Sequence, residues 1–421
     1  MEIIAAYGTI MVIMAVVFGL FMTWGIGAND LANAMGTSVG AGAVTIKQAI
    51  CIAIVFEFLG AVLAGGNVTK TIRKGIIDPS SIINQPEILV YGMLAALLAA
   101  AFWLMIASAK GWPVSTTHSI IGALVGFAMV GIGPESVKWG KIGSVVMSWV
   151  LSPVLGGTIS YILVLSTRKF IFNTDNPLGN AKKCAPVYIF LVGFIISLVT
   201  LFKGLKHLNV NFSTSQSFAL AVVIGLITAT IGWLFIRHIK EDLLRSRDFH
   251  FEAVEKVFTP MMLFTACSMA FAHGSNDVAN GIGPLAAVVS IITSGGEVMQ
   301  TSALPIWIML LGGGGIVLGL LTLGYRVMLT VGRKITELTP SRGFCAELAA
   351  ATTVVLASRT GLPVSTTHIL VGSVLGVGFA RGVGALDLRV VLNIIISWLV
   401  TLPAGAVMAM FFFFTLKGIF S

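Results

Sequence analysis

Long apolar runs alternate with short polar stretches along nearly the whole chain. The runs cover Thr9 to Gly27, Ile46 to Gly66, Ile88 to Ala109, Ile142 to Ser166, Pro186 to Phe202, Ser217 to Ile236, Val257 to Ala272, Leu304 to Leu329, Cys345 to Ala357 and Val390 to Leu416. About 20 apolar residues in a helix cross a bilayer, so the pattern predicts a polytopic helical membrane protein with roughly ten to twelve membrane elements. The period-two alternation that a membrane barrel requires is missing. The first thirty residues hold no Lys or Arg, so the opening run is expected to be a retained span and not a cleaved signal. The mixed-charge stretch from Arg237 to Lys256 reads as a solvated loop or surface helix.

Composition agrees with the pattern. Of 421 residues 57% are hydrophobic and only 10% charged, whereas soluble domains carry about 25% charge. The net charge of +9 comes from clusters between apolar runs, which suits loops at headgroups and excludes a nucleic-acid partner as its explanation. Arg168, Lys169, Lys182, Lys183 and Arg237 to Arg247 argue for a cytoplasmic middle, but Lys70, Arg73 and Lys74 set against Arg326, Arg333 and Lys334 cannot all lie inside if the halves are inverted. The four cysteines show no Cys-x-x-Cys or Cys/His ligand spacing, so neither a disulfide framework nor a zinc site is expected.

The chain repeats itself. Ala28-Asn29-Asp30-Leu31-Ala32-Asn33 returns as Ser275-Asn276-Asp277-Val278-Ala279-Asn280, an offset of 277 − 30 = 247. Pro113-Val114-Ser115-Thr116-Thr117-His118 returns unchanged as Pro363-Val364-Ser365-Thr366-Thr367-His368, an offset of 363 − 113 = 250, with Gly122 and Gly126 matched by Gly372 and Gly376. Ser148-Trp149 with Pro153 is answered by Ser397-Trp398 with Pro403. Two motifs in the same order at nearly one offset divide the chain into a first repeat over 1–166, a central joint over 167–257 with about two helices and a charged loop, and a second repeat over 258–421.

In membranes, duplicated halves with helices interrupted at matching places point to a transporter whose substrate sits near the midplane. The runs before Pro113 and Pro363 look short for full spans, so each is expected to open a re-entrant hairpin with Ser-Thr-Thr at its tip. A Ser or Thr cap there leaves backbone N–H groups beside hydroxyls at the positive end of a helix dipole, which is an oxyanion site. Asn-Asp-x-Ala-Asn supplies the complement, an all-oxygen set of which sodium is a natural occupant, although the sequence also admits a proton on Asp30 or Asp277. Neither motif pair contains Lys or Arg, so an anion placed near two aspartates is heavily penalised unless cations enter with it. Symport follows, with more than one cation per anion if both aspartates stay ionised.

Glu57 and Glu347 lie within apolar runs without occupying equivalent positions, and are candidates for coupling or ion access. His118 and His368 are as compatible with a structural imidazole as with a proton-coupling group. The glycine row 312–315 lacks the Gly-Lys-Ser/Thr of a phosphate loop, so no ATP site is expected. An intramembrane enzyme is disfavoured, because no nucleophile elbow or metal motif accompanies Ser115 and His118. An anion channel would hardly line its constriction with Asp30 and Asp277.

Gly27-Ala28-Asn29-Asp30-Leu31-Ala32-Asn33-Ala34, His273-Gly274-Ser275-Asn276-Asp277-Val278-Ala279-Asn280 and the duplicated Pro-Val-Ser-Thr-Thr-His together resemble the inorganic phosphate transporters of the PiT type, a family that includes sodium-dependent phosphate symporters. The resemblance implies an all-α polytopic membrane protein of two inverted structural repeats with re-entrant helical hairpins and about 12 membrane helices. It also implies alternating access for phosphate driven by a cation gradient across the cell inner membrane, with sodium as the co-transported ion and no cofactor. Carried over by position, it puts sodium at Asn29, Asp30, Asn276 and Asp277, and phosphate at Ser115, Thr116, Thr117, Ser365, Thr366, Thr367, Asn33 and Asn280. Proton coupling through Glu57, Glu347, His118 or His368, and a metal–phosphate substrate, remain open alternatives. The expected partners are phosphate, sodium and the bilayer, with a homodimer as a further expectation. The central joint is short here, whereas eukaryotic members carry a long hydrophilic insertion.

Overall fold

The computed structural model describes residues 2–65, 85–199, 201, 212–237, 247–297, 305–360 and 364–420. Lys70, Arg73, Lys74 and Pro363, which enter the sequence argument, lie outside the described residues. Among the described residues thirteen α-helices follow one another: α1 (Glu2–Gly40), α2 (Ile46–Ala64), α3 (Pro86–Lys110), α4 (Thr116–Gly131), α5 (Trp139–Thr167), α6 (Pro177–Val199), α7 (Thr214–Ile236), α8 (Arg247–Thr293), α9 (Ile306–Thr322), α10 (Gly324–Leu329), α11 (Pro340–Thr360), α12 (Thr366–Arg381) and α13 (Leu388–Phe420). Among the described residues eight helices are long and apolar enough to cross a membrane, and α9 with the segment Gly324–Lys334 forms a further pair bent by 62°. Adding the remaining hairpin helices α4, α11 and α12 brings the membrane elements to twelve. The bend breaks the run that the sequence presents as continuous from Leu304 to Leu329.

Local chemistry sets the helix ends. Thr45 with Gln48 caps the start of α2 and Ser213 with Gln216 caps the start of α7, each as a reciprocal capping box. α3 stops at Gly111, which takes the left-handed conformation (φ +69°) that a residue with a Cβ adopts only at a cost. With 25 residues α3 is long enough to span, unlike the short half-helix expected from the sequence. The hairpin therefore arises from the break at 111–115 and the short return helix α4, not from a shortage of apolar residues in α3.

The halves are inverted and interleaved. Gly8 lies against Ile292, Gly19 against Leu285 and Gly281 against Thr23, so the motif helices α1 and α8 run antiparallel. Each hairpin's return helix packs on the last helix of the other half. A Cβ on Gly122 in α4 would lie 2.3 Å from the Leu402 carbonyl oxygen of α13, and one on Gly372 in α12 would lie 2.3 Å from the Pro153 carbonyl oxygen of α5. Small residues thus let backbones touch where lipid-exposed helices gain nothing from apolar burial alone. The outer faces of α5, α7 and α13 expose large apolar side chains such as Met147, Phe235 and Phe411, as a lipid-facing surface does.

Candidate functional site

The two hairpin tips and the centres of α1 and α8 meet in the interior. Ser115 caps α4 by accepting the His118 N–H at 3.2 Å, and Ser365 caps α12 by accepting the His368 N–H at 3.3 Å. The N–H groups of Thr116, Thr117, Thr366 and Thr367 belong to first turns that have no intrahelical acceptor. Asn29 fixes the first tip. Its Nδ2 donates to Ser108 Oγ (3.1 Å) and to the Trp112 carbonyl (2.9 Å), and its Oδ1 accepts the Val114 N–H (3.0 Å).

The motifs pair across the halves. Asn33 of the first half donates to its own Asp30 (2.8 Å) and to Thr367 Oγ1 on the second hairpin (2.8 Å), while Thr367 donates to Asp30 Oδ1 (3.4 Å) and to the Val114 carbonyl (3.2 Å). Asn280 of the second half reaches Thr116 Oγ1 (3.3 Å) and Thr117 Oγ1 (3.1 Å) on the first hairpin, as well as Asp277 (3.5 Å). Thr366 donates to Asp277 Oδ2 (3.3 Å), and Asn276 donates to Asp277 Oδ1 (2.8 Å). The last asparagine of each motif, Asn33 or Asn280, therefore holds the hairpin tip of the opposite repeat.

His273, which opens the second motif and carried no expected role, stands at the centre. Its Nε2 lies 2.7 Å from Asp277 Oδ2 and 3.3 Å from Asp30 Oδ2, and its Nδ1 lies 3.4 Å from Glu57 Oε2. All four side chains are buried. The available signal was an ionisable residue inside an apolar helix, one turn before a motif aspartate. Asp30, His273 and Asp277 present ligand atoms within 4.8 Å of one another, a spacing that fits one small cation. Apart from these His273 contacts, Asp30 Oδ2, Asn33 Oδ1 and both Glu57 oxygens are buried with no hydrogen-bond donor among the described residues. One imidazole shared by three carboxylates leaves an excess of buried acceptors and negative charge.

Glu347 is elsewhere. Its Oε1 accepts from Thr37 (2.6 Å) and Ser38 (2.8 Å) of α1, and its Oε2 accepts from Thr265 of α8. This makes a second all-oxygen cluster, fully buried, about two turns along α1 from Asp30. His118 and His368 also stand apart from the aspartates: their rings meet edge to face at 4.9 Å, with His368 stacked on Trp398 at 3.8 Å and His118 tilted toward Trp149 at 5.7 Å. The Trp398 indole donates to the Pro113 carbonyl (2.9 Å), so α13 holds both tips. A cavity of about 30 Å³ reaches His273, Asn276 and Thr366 from between α6, α8 and α11, enough space for ordered water beside the centre.

Inverted repeats, crossed hairpins and a buried centre of hydroxyl, amide and carboxylate groups define a multi-pass membrane transporter for a small oxyanion. A family model described as "Phosphate transporter family" matches residues 26–409, and the chain belongs to that family. It is 54% identical to a protein of Haemophilus influenzae provisionally named a phosphate permease, over the full length of both. It is also 43% identical to "Inorganic phosphate transporter 2-1, chloroplastic" of Arabidopsis thaliana, across 94% of this chain and 70% of that one. A solved structure entitled "The sodium-dependent phosphate transporter" superposes with a TM-score of 0.87 at 44% identity, covering 97% of this chain and 99% of the other. The protein is accordingly a phosphate transporter and not an enzyme.

Proposed function

We propose that the protein is a secondary active symporter of the plasma membrane that carries phosphate inward by alternating access, driven by a sodium gradient and needing no cofactor. The observation that carries this reading is the set of buried acceptors, Asp30 Oδ2, Asn33 Oδ1 and the Glu57 oxygens, which together with Asp277 have a single histidine to share among the described residues. Such oxygens are stabilised by a cation with oxygen preference, and a phosphate brought against Asp30 and Asp277 requires that charge to be present. Phosphate is held by neutral donors: the hydroxyls of Thr116, Thr117, Thr366 and Thr367, the caps at Ser115 and Ser365, and the amides of Asn33 and Asn280. Sodium is assigned to Asp30 and Asp277, with Asn276 beside them. Asn29 is assigned to orienting the first tip, since both its amide hydrogens and its oxygen are already engaged. Glu347 with Thr37, Ser38 and Thr265 offers a further oxygen cage and is assigned to coupling.

Opposite pairing of motif and hairpin gives the coupling its logic. A cation at Asp30 acts through Asn33 on the second hairpin, and a cation at Asp277 acts through Asn280 on the first. Cation binding and tip geometry are therefore linked at both ends of the cycle. A proton-coupled reading is favoured by one feature, the His273 imidazole between Glu57 and the two aspartates. Labelled phosphate uptake into proteoliposomes separates the two. Accumulation is expected with an inward sodium gradient at equal pH and not with a proton gradient in sodium-free medium. The opposite pattern moves the coupling to His273 and Glu57, and no accumulation under either rejects symport.

A further inference from the structure

At the end of the bundle where the second hairpin opens, Gly40 of α1 meets Gly332, and the start of α11, the end of α12, the turn after α5 and the early part of α8 converge. Three arginines stand there. Arg168 donates to the Ala380 carbonyl at 3.0 Å. Arg381 donates to Thr336 Oγ1 (3.3 Å), the Glu337 carbonyl (2.8 Å) and the Glu337 carboxylate (3.0 Å). Arg342 is half-buried and within electrostatic reach of Arg381, Arg168, Glu255 and Glu337, yet it makes no hydrogen bond or ion pair among the described residues. The two carboxylates are engaged elsewhere: Glu255 accepts both the N–H and the hydroxyl of Ser341 at 2.7 Å, and Glu337 accepts from Arg381. Arg333 and Lys334, both exposed, add positive charge one turn before Glu337.

We propose that Arg342 anchors an oxyanion-binding vestibule at this end of the bundle, taking a phosphate group, either free inorganic phosphate or the headgroup of an anionic lipid. The guanidinium presents a planar fork of donors that matches two phosphate oxygens, and it is partly removed from water. The central site holds phosphate through neutral donors and carries no Lys or Arg in its motifs, so a fixed cation at this end supplies the attraction that the centre lacks. Arg168 and Arg381, tied down by backbone carbonyls, hold the field in place while Arg342 keeps its donors free.

The inference rests on phosphate transport and is independent of which cation drives it, so the test is exchange of labelled phosphate at equal sodium on both sides. Wild type, R342Q and R342K are compared in oriented vesicles of phosphatidylcholine alone and with phosphatidylglycerol, adding phosphate at one face and then the other. R342Q is expected to raise the half-saturating phosphate concentration about fivefold at the Arg342 face at low salt, as loss of one exposed charged contact does. The other face and the maximal rate stay unchanged, R342K falls between, and the difference shrinks at 1 M salt, where exposed charges are screened beyond about 3 Å. The same defect in both lipid mixtures identifies free phosphate, and a defect confined to phosphatidylglycerol vesicles identifies the headgroup. Equal effects at both faces, or none in either lipid, overturn the vestibule. Equilibrium binding of labelled phosphate to the purified proteins keeps the result separate from transport: a weaker class of sites lost in R342Q supports the vestibule even if exchange fails in wild type, and identical binding in the two proteins rejects it.

Discussion

Asn29 and Asp30 are neighbours in sequence with different physical tasks. Asn29 spends its amide on Ser108, Trp112 and Val114, so Asn29→Ala leaves the buried Val114 N–H and the partly buried Trp112 carbonyl without partners. A loss of about 2–3 kcal/mol is expected, read as a lower unfolding temperature of the purified protein. Asp30→Asn keeps the shape and the bond to Asn33 but removes the charge, and is expected to abolish sodium-driven uptake while the protein still elutes as a folded species. Uptake at the wild-type rate would remove Asp30 from the cation site. The motif aspartates and asparagines were legible as candidates because polar groups in apolar runs require a reason. The division of labour between Asn29 and Asn33 was not legible, since both are amides one turn apart and only the position of the hairpins decides what each can reach.

Among elements, the hairpins carry the site, and their sequence signals differ in kind. Ser115 is a helix cap, so Ser115→Ala is expected to cost about 1 kcal/mol of stability by freeing the His118 N–H. Thr117→Val keeps the cap but removes a hydroxyl facing Asn280. It is expected to weaken phosphate binding more than sodium binding in equilibrium titrations, and the reverse order would exchange the two sites. Gly122→Ala forces a Cβ to within 2.3 Å of the Leu402 carbonyl oxygen. A destabilisation of about 1–3 kcal/mol is expected from such overpacking, with Gly372→Ala behaving alike against Pro153. Matching of Gly122 with Gly372 was visible as repetition, whereas the reason for it, close approach to the last helix of the opposite half, needed the packed bundle.

Across the whole molecule, the oxyanion donors obey the two-fold repeat and the extra buried ionisable groups do not. Shifted by 247, His273 corresponds to Ile26 and Thr265 to Phe18; shifted by 250, Glu347 corresponds to Leu97; and Glu57 corresponds to the acid-free stretch 304–307. On the proposed assignment phosphate meets a symmetric cradle, while Glu57, His273 and Glu347 break the symmetry around the paired aspartates. The dependence of uptake on sodium is expected to be sigmoidal, and Glu347→Gln to flatten it toward a single-site curve without changing the phosphate dependence; an unchanged slope would separate Glu347 from coupling. The chain by itself determined the helical membrane class, the duplication, the caps and the donor types, because these depend on composition and on spacings within a few turns. Only the tertiary structure decided that Asn33 serves Thr367 and Asn280 serves Thr117, that His273 joins Glu57 to both aspartates, and that Glu347 gathers hydroxyls from α1 and α8. These contacts follow from two motif helices lying antiparallel and from hairpins crossing between halves, and no periodicity along a strand of sequence records how far apart two distant turns come to rest.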